Sequence, residues 1–255
     1  MIPIKNAHEI KSMKEACFIA AFVLDKMCES VKPGMNTYDL DQLGKKLIEQ
    51  MGAKSACYRH KIGSKFYPAY TCISVNDEVV HGIGSPKRIL HPQDSVSIDV
   101  SIIYNNFVGD NARTIPLDGA NEKVKKLINT TEIALSKGIE QARSGNKVGD
   151  ISAAIQEFVE AHGYSIVRDF VGHGIGHSIH EEPQIPNFGR KNTGPKLKSG
   201  MTLAIEPMVN MGTYEVKIDK DGFTVRTKDG QPSAHFEHTV LITDEGPEIL
   251  TISKN

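Results

Sequence analysis

Two stretches of this chain repeat their punctuation at one fixed spacing, and that spacing narrows the folds open to it. Gly34 and Gly145, Asp39 and Asp150, Leu40 and Ile151, Glu49 and Glu160, and Gly52 and Gly163 are each 111 positions apart. Around them apolar residues recur at helical intervals. Ile10, Met13, Cys17, Ala20, Leu24, Met27 and Val31 mark a first helix, with Asn6 and Glu9 as a capping pair and Pro33-Gly34 as its end. Leu40, Leu43, Leu47 and Ile48 mark a second, stopped at Gly52. Val124, Leu127, Ile128, Leu135 and Ile139 mark a third, halted near Gly145. Ile151, Ala154, Ile155, Phe158 and Val159 mark a fourth, halted at Gly163.

Strand-like material follows each pair: Thr71–Val75, Ser95–Tyr104 and Ala112–Leu117, then Tyr164–Arg168, Thr202–Val209 and Ala234–Thr243. Asp219-Lys220-Asp221-Gly222 reads as a hairpin turn. The pattern predicts an α+β fold of pseudo-two-fold, duplicated helix-helix-strand units around a mainly antiparallel sheet. Helices would cover one face of that sheet and leave the other to build a cleft. No linker divides the halves, about 1–118 and 119–255, so residues 1–255 read as a single domain with one shared sheet.

Thirty basic residues against thirty-one acidic ones argue for neither a nucleic-acid binder nor a membrane-surface protein. Met1-Ile2-Pro3-Ile4-Lys5-Asn6 lacks the features of a signal peptide, and no apolar run is long enough to span a membrane. Cys17, Cys28, Cys57 and Cys72 form no Cys-x-x-Cys pair and read as buried thiols in a reducing compartment, so a cytoplasmic location is expected.

Four acids stand where strands disfavour them. In Ser95–Ile102, Val96, Ile98, Val100 and Ile102 take one face, and Asp99 shares the other with Ser95, Ser97 and Ser101. Asp110 follows Val108-Gly109, Glu206 precedes Pro207 in an apolar run, and Glu237 lies inside Ala234–Val240. One such acid is ordinarily an edge charge or half of a salt bridge. Four of them, with no matching lysines or arginines in the same strands, demand positive charge if they converge. Two divalent metal ions balance four carboxylates. Val171–Pro183 offers a softer ligand, since an extended, glycine-flanked segment would present His173 and His180 to a cleft. Gly174 and Gly176 count against a helical zinc pair of His173 and His177, and the glycine spacing does not fit a dinucleotide loop.

With these motifs together the chain resembles the type I, bacterial-type methionine aminopeptidases of the pita-bread metallopeptidase superfamily. The likeness runs through Ile98-Asp99-Val100, Gly109-Asp110, Gly172–Pro183, Ile205-Glu206-Pro207 and Phe236–Thr239. The resemblance implies a pita-bread fold and a single catalytic domain that removes the N-terminal methionine from nascent proteins and peptides whose second residue is small. It implies two divalent metal ions (Co, Mn, Fe or Zn) held by Asp99, Asp110, His173, Glu206 and Glu237, with Asp110 and Glu237 bridging. It further implies His81 and His180 as residues contacting the peptide at the scissile bond and Glu206 as proton shuttle. Tyr67, Cys72 and Phe223 would hold the methionine side chain. The chain departs from the family at Phe223, a frequent tryptophan position, at Ile179, a commonly aromatic one, and in a longer 58–66 segment.

Nascent polypeptide N-termini are the partners this implies, for a monomeric enzyme. Arg190, Lys191, Lys196 and Lys198 read as a solvated loop, with contact to ribosomal RNA as the sharper alternative. Two rivals share the fold: a proline-specific peptidase, which typically carries an additional N-terminal domain, and a non-catalytic binding module, which typically loses ligands.

Overall fold

The computed structural model describes residues 2–253. The first half comprises α1 (Ala7–Ser30), α2 (Thr37–Gln50), β1 (Lys54–Ser55), β2 (Lys61–Ile62), β3 (Lys65–Phe66), β4 (Cys72–Val75), β5 (Glu78–Val80), β6 (Ser95–Tyr104) and β7 (Phe107–Pro116). The second comprises α3 (Glu122–Gln141), α4 (Val148–Ala161), β8 (Ser165–Ile166), β9 (Gly172–Gly174), β10 (Glu181–Ile185), β11 (Thr202–Ile205), β12 (Met208–Asn210), β13 (Val216–Ile218), β14 (Val225–Thr227), β15 (Ser233–His235), β16 (Glu237–Ile242) and β17 (Pro247–Ile249).

The duplication read from the sequence is present in the backbone. Helices α2 and α4 begin and end 111 residues apart, and α1 and α3 end at Ser30 and Gln141, again 111 apart. Each pair is tied to the chain in the same way. Gly34 N donates to Leu90 O and Gly145 N to Leu197 O, while Leu90 N donates to Met35 O and Leu197 N to Asn146 O. Gly34 and Gly145 both take a positive φ, 87° and 97°, which only glycine adopts without strain. The Asn6–Glu9 capping box forms as expected, with Glu9 Oε2 accepting from Asn6 N at 2.8 Å and Asn6 Oδ1 accepting from Glu9 N at 3.0 Å. Helix α1 stops at Ser30, before the expected Pro33-Gly34.

One antiparallel sheet joins the halves in the order β1-β6-β7-β16-β11-β9-β10, with β4 also on β6 and β17 on β16. Its helix side is apolar. Val96, Ile98, Val100 and Ile102 share a core with Met13, Cys17, Leu24 and Met27 of α1, and a second core joins α3 and α4 to Leu203, Ile205 and Val240. Helices therefore lie on one face of a pita-bread sheet, as the alternation required.

Strand limits differ from the sequence reading. The β6–β7 hairpin turns at Asn105-Asn106, both at positive φ, so β7 starts at Phe107 rather than Ala112. The expected strand Thr202–Val209 is two strands, because Pro207 offers no N–H to continue the ladder. Ala234–Thr243 likewise splits at Phe236 into β15 and β16. Strand β12 pairs with β15 on one side and β8 on the other in a separate small sheet, and Tyr164–Arg168 contributes only β8. The turn near Asp219–Gly222 joins β13 to β14, which pairs with β5.

Helix α1 presses so closely on β7 that a Cβ on Gly109 would lie 2.5 Å from Ala16 O. Gly109→Ala should therefore cost about 1–3 kcal/mol of stability, the usual scale of overpacking. Urea unfolding checks this, and an unchanged midpoint would show that the contact yields.

Candidate active site

Four strands and the residue that follows a fifth each bring one ligand-type side chain to the same place. Register explains how. Asp99 on β6 lies opposite Ala112 on β7, which lies opposite Glu237 on β16, so one row runs carboxylate, methyl, carboxylate. Asp110 stands two residues from Ala112 and hence on the same face. It lies opposite Ser101, whose Oγ donates to Asp110 Oδ1 at 2.7 Å. The Asp110 backbone is fixed by Thr239, whose Oγ1 donates to Asp110 O at 2.8 Å. On β9, His173 lies opposite Ala204 of β11. Two residues on, Glu206 brings Oε1 to 3.3 Å from His173 Nε2. The glycines flanking His173 allow this strand to fit. A Cβ at Gly172 would lie 2.4 Å from Ala204 O, and one at Gly174 2.1 Å from Glu182 O.

The electrostatics of this cluster are those of a cation site. Burial pushes Asp110 up to about 7. Burial, then the charges of Asp110 and Glu206, raise Asp99 well above the usual carboxylate range. Glu206 and Glu237 are raised well above it too, first by burial and then by neighbouring carboxylates. Asp99 Oδ1 and Glu237 Oε1 are buried with no hydrogen-bond partner. Among the described residues no lysine or arginine lines the cavity. Asp110, His173 and Glu237 offer ligand atoms all within 4.8 Å of one another. His173 is prepared to bind through Nε2. Its Nδ1 sits 3.0 Å from Gly174 O, a contact that requires the proton on Nδ1, and burial lowers its pKa to about 4. These donors fit divalent metal ions, and the orphaned carboxylate oxygens are what such ions would satisfy.

The cluster forms the floor of a cavity of about 130 Å³. Imidazoles mark its depth: the ring of His173 meets that of His180 edge-on at 4.6 Å, and His180 meets His60 at 5.7 Å. His81 lines the same cavity at φ 59°, a conformation rare for a side-chain-bearing residue, with its ring edge-on to Phe170. Burial, aided by His180 and His60, lowers His81 to about 4, so its ring is neutral at physiological pH. Burial also lowers His180.

Tyr67, Cys72 and Ile179 line the cavity. Phe223 does not; it stands behind Tyr67, edge-on at 5.4 Å, and acts on the pocket through that ring. His177 points away, to Glu9 and Phe107 on the outer surface. Wall residues unassigned from sequence include Cys57, His60, Ile62 and Phe170. The first three belong to the 58–66 segment or its edge, whose path no periodicity reveals. His235 was also missed: it is buried, with Nε2 3.6 Å from Glu206 Oε2. Alternation with Glu237 in the same motif is the signal that points to it. All four cysteines are free, and Cys28 alone of them is only partly buried.

Comparison with known proteins agrees with this geometry. The profile of Metallopeptidase family M24 matches residues 11–244. A methionine aminopeptidase of Clostridium perfringens is 48% identical over 254 residues, covering 100% of both chains. The crystal structure of a methionine aminopeptidase from Thermotoga maritima superposes with a TM-score of 0.95 at 42% identity, over 99% of this chain and 100% of that one. A prolidase from Pyrococcus furiosus scores 0.77 at 25% identity, and this chain covers only 66% of it. The chain therefore belongs to metallopeptidase family M24 and, within it, to the bacterial type I methionine aminopeptidases.

Proposed function

We propose that the chain is a two-metal aminopeptidase that removes an N-terminal methionine when the second residue is small. The observation that carries this is the delivery of Asp99, Asp110, Glu237 and His173 from four strands, and of Glu206 from the end of β11, into one cavity lined by no lysine or arginine among the described residues. Asp99, Asp110, His173, Glu206 and Glu237 would hold the ions, with Asp110 and Glu237 as the acids both ions would share in this reading. Bound divalent ions (Co, Mn, Fe or Zn) would supply Lewis acidity, bringing the ionisation of water near neutral pH and offsetting negative charge that develops on the scissile carbonyl. Glu206, whose raised pKa suits both states, takes a proton from the attacking water and returns it to the leaving amine. His180 donates a hydrogen bond to the carbonyl oxygen, and the neutral ring of His81 orients the departing amide. Tyr67 and Cys72, with Phe223 behind, receive the thioether. A proline-specific peptidase is less favoured, since the prolidase is 25% identical to this chain while the methionine aminopeptidases are 42% and 48% identical.

The described chain would act as one catalytic domain on nascent N-termini in the cytoplasm, as a monomer. Among the described residues no helix is long and apolar enough to cross a membrane. Arg190, Lys191, Lys196 and Lys198 contribute nothing to the cavity, and Lys191 pairs with Glu157 at 2.9 Å, which favours the solvated-loop reading over a ribosome contact.

Chelation should abolish cleavage and a divalent metal should restore it. The carboxylates add a pH signature. Their folded pKa values are raised, so their contribution is fully present below the unfolded value and is lost as pH rises through the folded values, about 7 for Asp110. Metal addition should therefore raise the melting temperature more at about pH 8 than at about pH 5.5. A gain independent of pH, or full activity in metal-free protein, would remove the metal site.

His180→Ala should lower kcat roughly 10²-fold with metal content unchanged, the scale of one lost oxyanion donor. Loss of metal instead would make His180 a ligand.

Met-Gly, Met-Ala and Met-Ser peptides should be cut, while Met-Lys, Met-Phe and formyl-Met peptides should survive. A tripeptide panel measures this, and preference for proline or indifference to the second residue would overturn the assignment.

A further inference from the structure

Strands β2 and β3 form a hairpin that pairs with no other strand. All four of its strand residues are exposed, and two such short strands are marginal alone in water. Yet this hairpin supplies cavity wall, through His60 at its base and Ile62 within it. Something must hold it in place.

It is held at both ends. At the base, Arg59 N donates to Tyr67 O at 2.8 Å and Tyr67 N to His60 O at 2.9 Å. The Tyr67 hydroxyl donates to Gly82 O at 2.8 Å, next to His81. At the other end, Lys65 Nζ donates to Asp221 O at 2.6 Å and lies 5.9 Å from the centre of the Phe223 ring. Lys65 lies opposite Ile62, and cross-strand partners share a face, so the latch and the wall residue project to the same side. The receiving loop is rigid. The Asp221 carboxylate accepts hydrogen bonds from Phe223 N, Thr224 N and Thr224 Oγ1 at 2.7, 3.0 and 2.6 Å. Gly222 takes φ 87°, and a Cβ there would lie 2.8 Å from Lys65 Nζ. Among the described residues, the Lys65 bond is the one side-chain hydrogen bond from residues 59–66 to the rest of the chain.

We propose that Lys65 is a specificity-determining residue: by tying the hairpin to the Asp221 carbonyl, it holds His60 and Ile62 as a wall of the first-residue pocket. This rests on the aminopeptidase reading above. An exposed lysine bonded to a carbonyl adds little to global stability, so its effect is read in substrate binding. Without the latch the hairpin swings outward, the pocket widens, and contact with the methionine side chain is lost while the metal floor stays intact.

The test compares the unaltered, metal-loaded enzyme with Lys65→Met, Lys65→Arg and Gly222→Ala, using Met-Ala-Ser and Leu-Ala-Ser peptides. Lys65→Met keeps the stem and removes the donor. It should raise KM for Met-Ala-Ser about fivefold, leave kcat within about twofold, and narrow the preference for methionine over leucine. Metal content and melting temperature should not move. Lys65→Arg should restore the unaltered KM, and Gly222→Ala, which crowds the latch from the other side, should reproduce the Lys65→Met pattern. An unchanged KM and selectivity in Lys65→Met, or a loss confined to kcat, overturns the proposal while the aminopeptidase reading stands. Failure of the unaltered enzyme to cut Met-Ala-Ser takes both down.

Discussion

Four carboxylates set side by side, Asp110 and Glu237 buried and Asp99 and Glu206 partly so, with no lysine or arginine beside them among the described residues, are the constraint around which the rest of the molecule is arranged. An ionised carboxylate removed from water costs several kcal/mol even after the protein relaxes, and each neighbour of like charge adds to that. The raised pKa values of Asp99, Glu206 and Glu237 are that cost expressed as protonation. A protein gains nothing in stability from such a cluster, so its persistence has to be chemical. Cations reverse the balance, which makes metal affinity, local stability and activity aspects of one interaction.

The sheet separates the work of holding the fold from that of doing chemistry. On one face of β6, Val96, Ile98, Val100 and Ile102 are fully buried beneath α1. On the other, Asp99 and Ser101 face the cavity. A pleated strand alternates sides with a period of two, so one ten-residue segment serves both purposes without compromise. Packing then sets precision. The closeness of α1 to Gly109 and of β9 to Ala204 O leaves no room for a Cβ, and each of these glycines is next to a ligand-type residue. Ser101 and Thr239 fix Asp110 from side chain and backbone at once.

Asp99 and Glu237 were visible in the sequence because strand alternation is local, and their placement in apolar runs makes them anomalous without any structure. His173 and His180 were visible through the glycines around them. The helices were legible to within a few residues, and the 111-residue spacing proved to include the hydrogen bonds that tie each pair to the following segment. Less legible were the breaks at Pro207 and Phe236, since nothing in a strand-like run says that its two ends join different sheets.

What the sequence determined by itself is therefore the inventory: two related helix pairs, an apolar sheet face, and a set of acids and histidines of the kinds that ligate cations. Tertiary structure alone decided the pocket. Phe223 was expected to touch the substrate side chain and instead supports Tyr67, while Cys57, His60 and Ile62 reached the wall from a hairpin with no periodic signal. The reason is physical. A strand tells its neighbours where to point through a repeat of two residues, but a loop is placed by contacts with residues far along the chain. Lys65 and Asp221 are 156 positions apart, and only folding brings them to 2.6 Å.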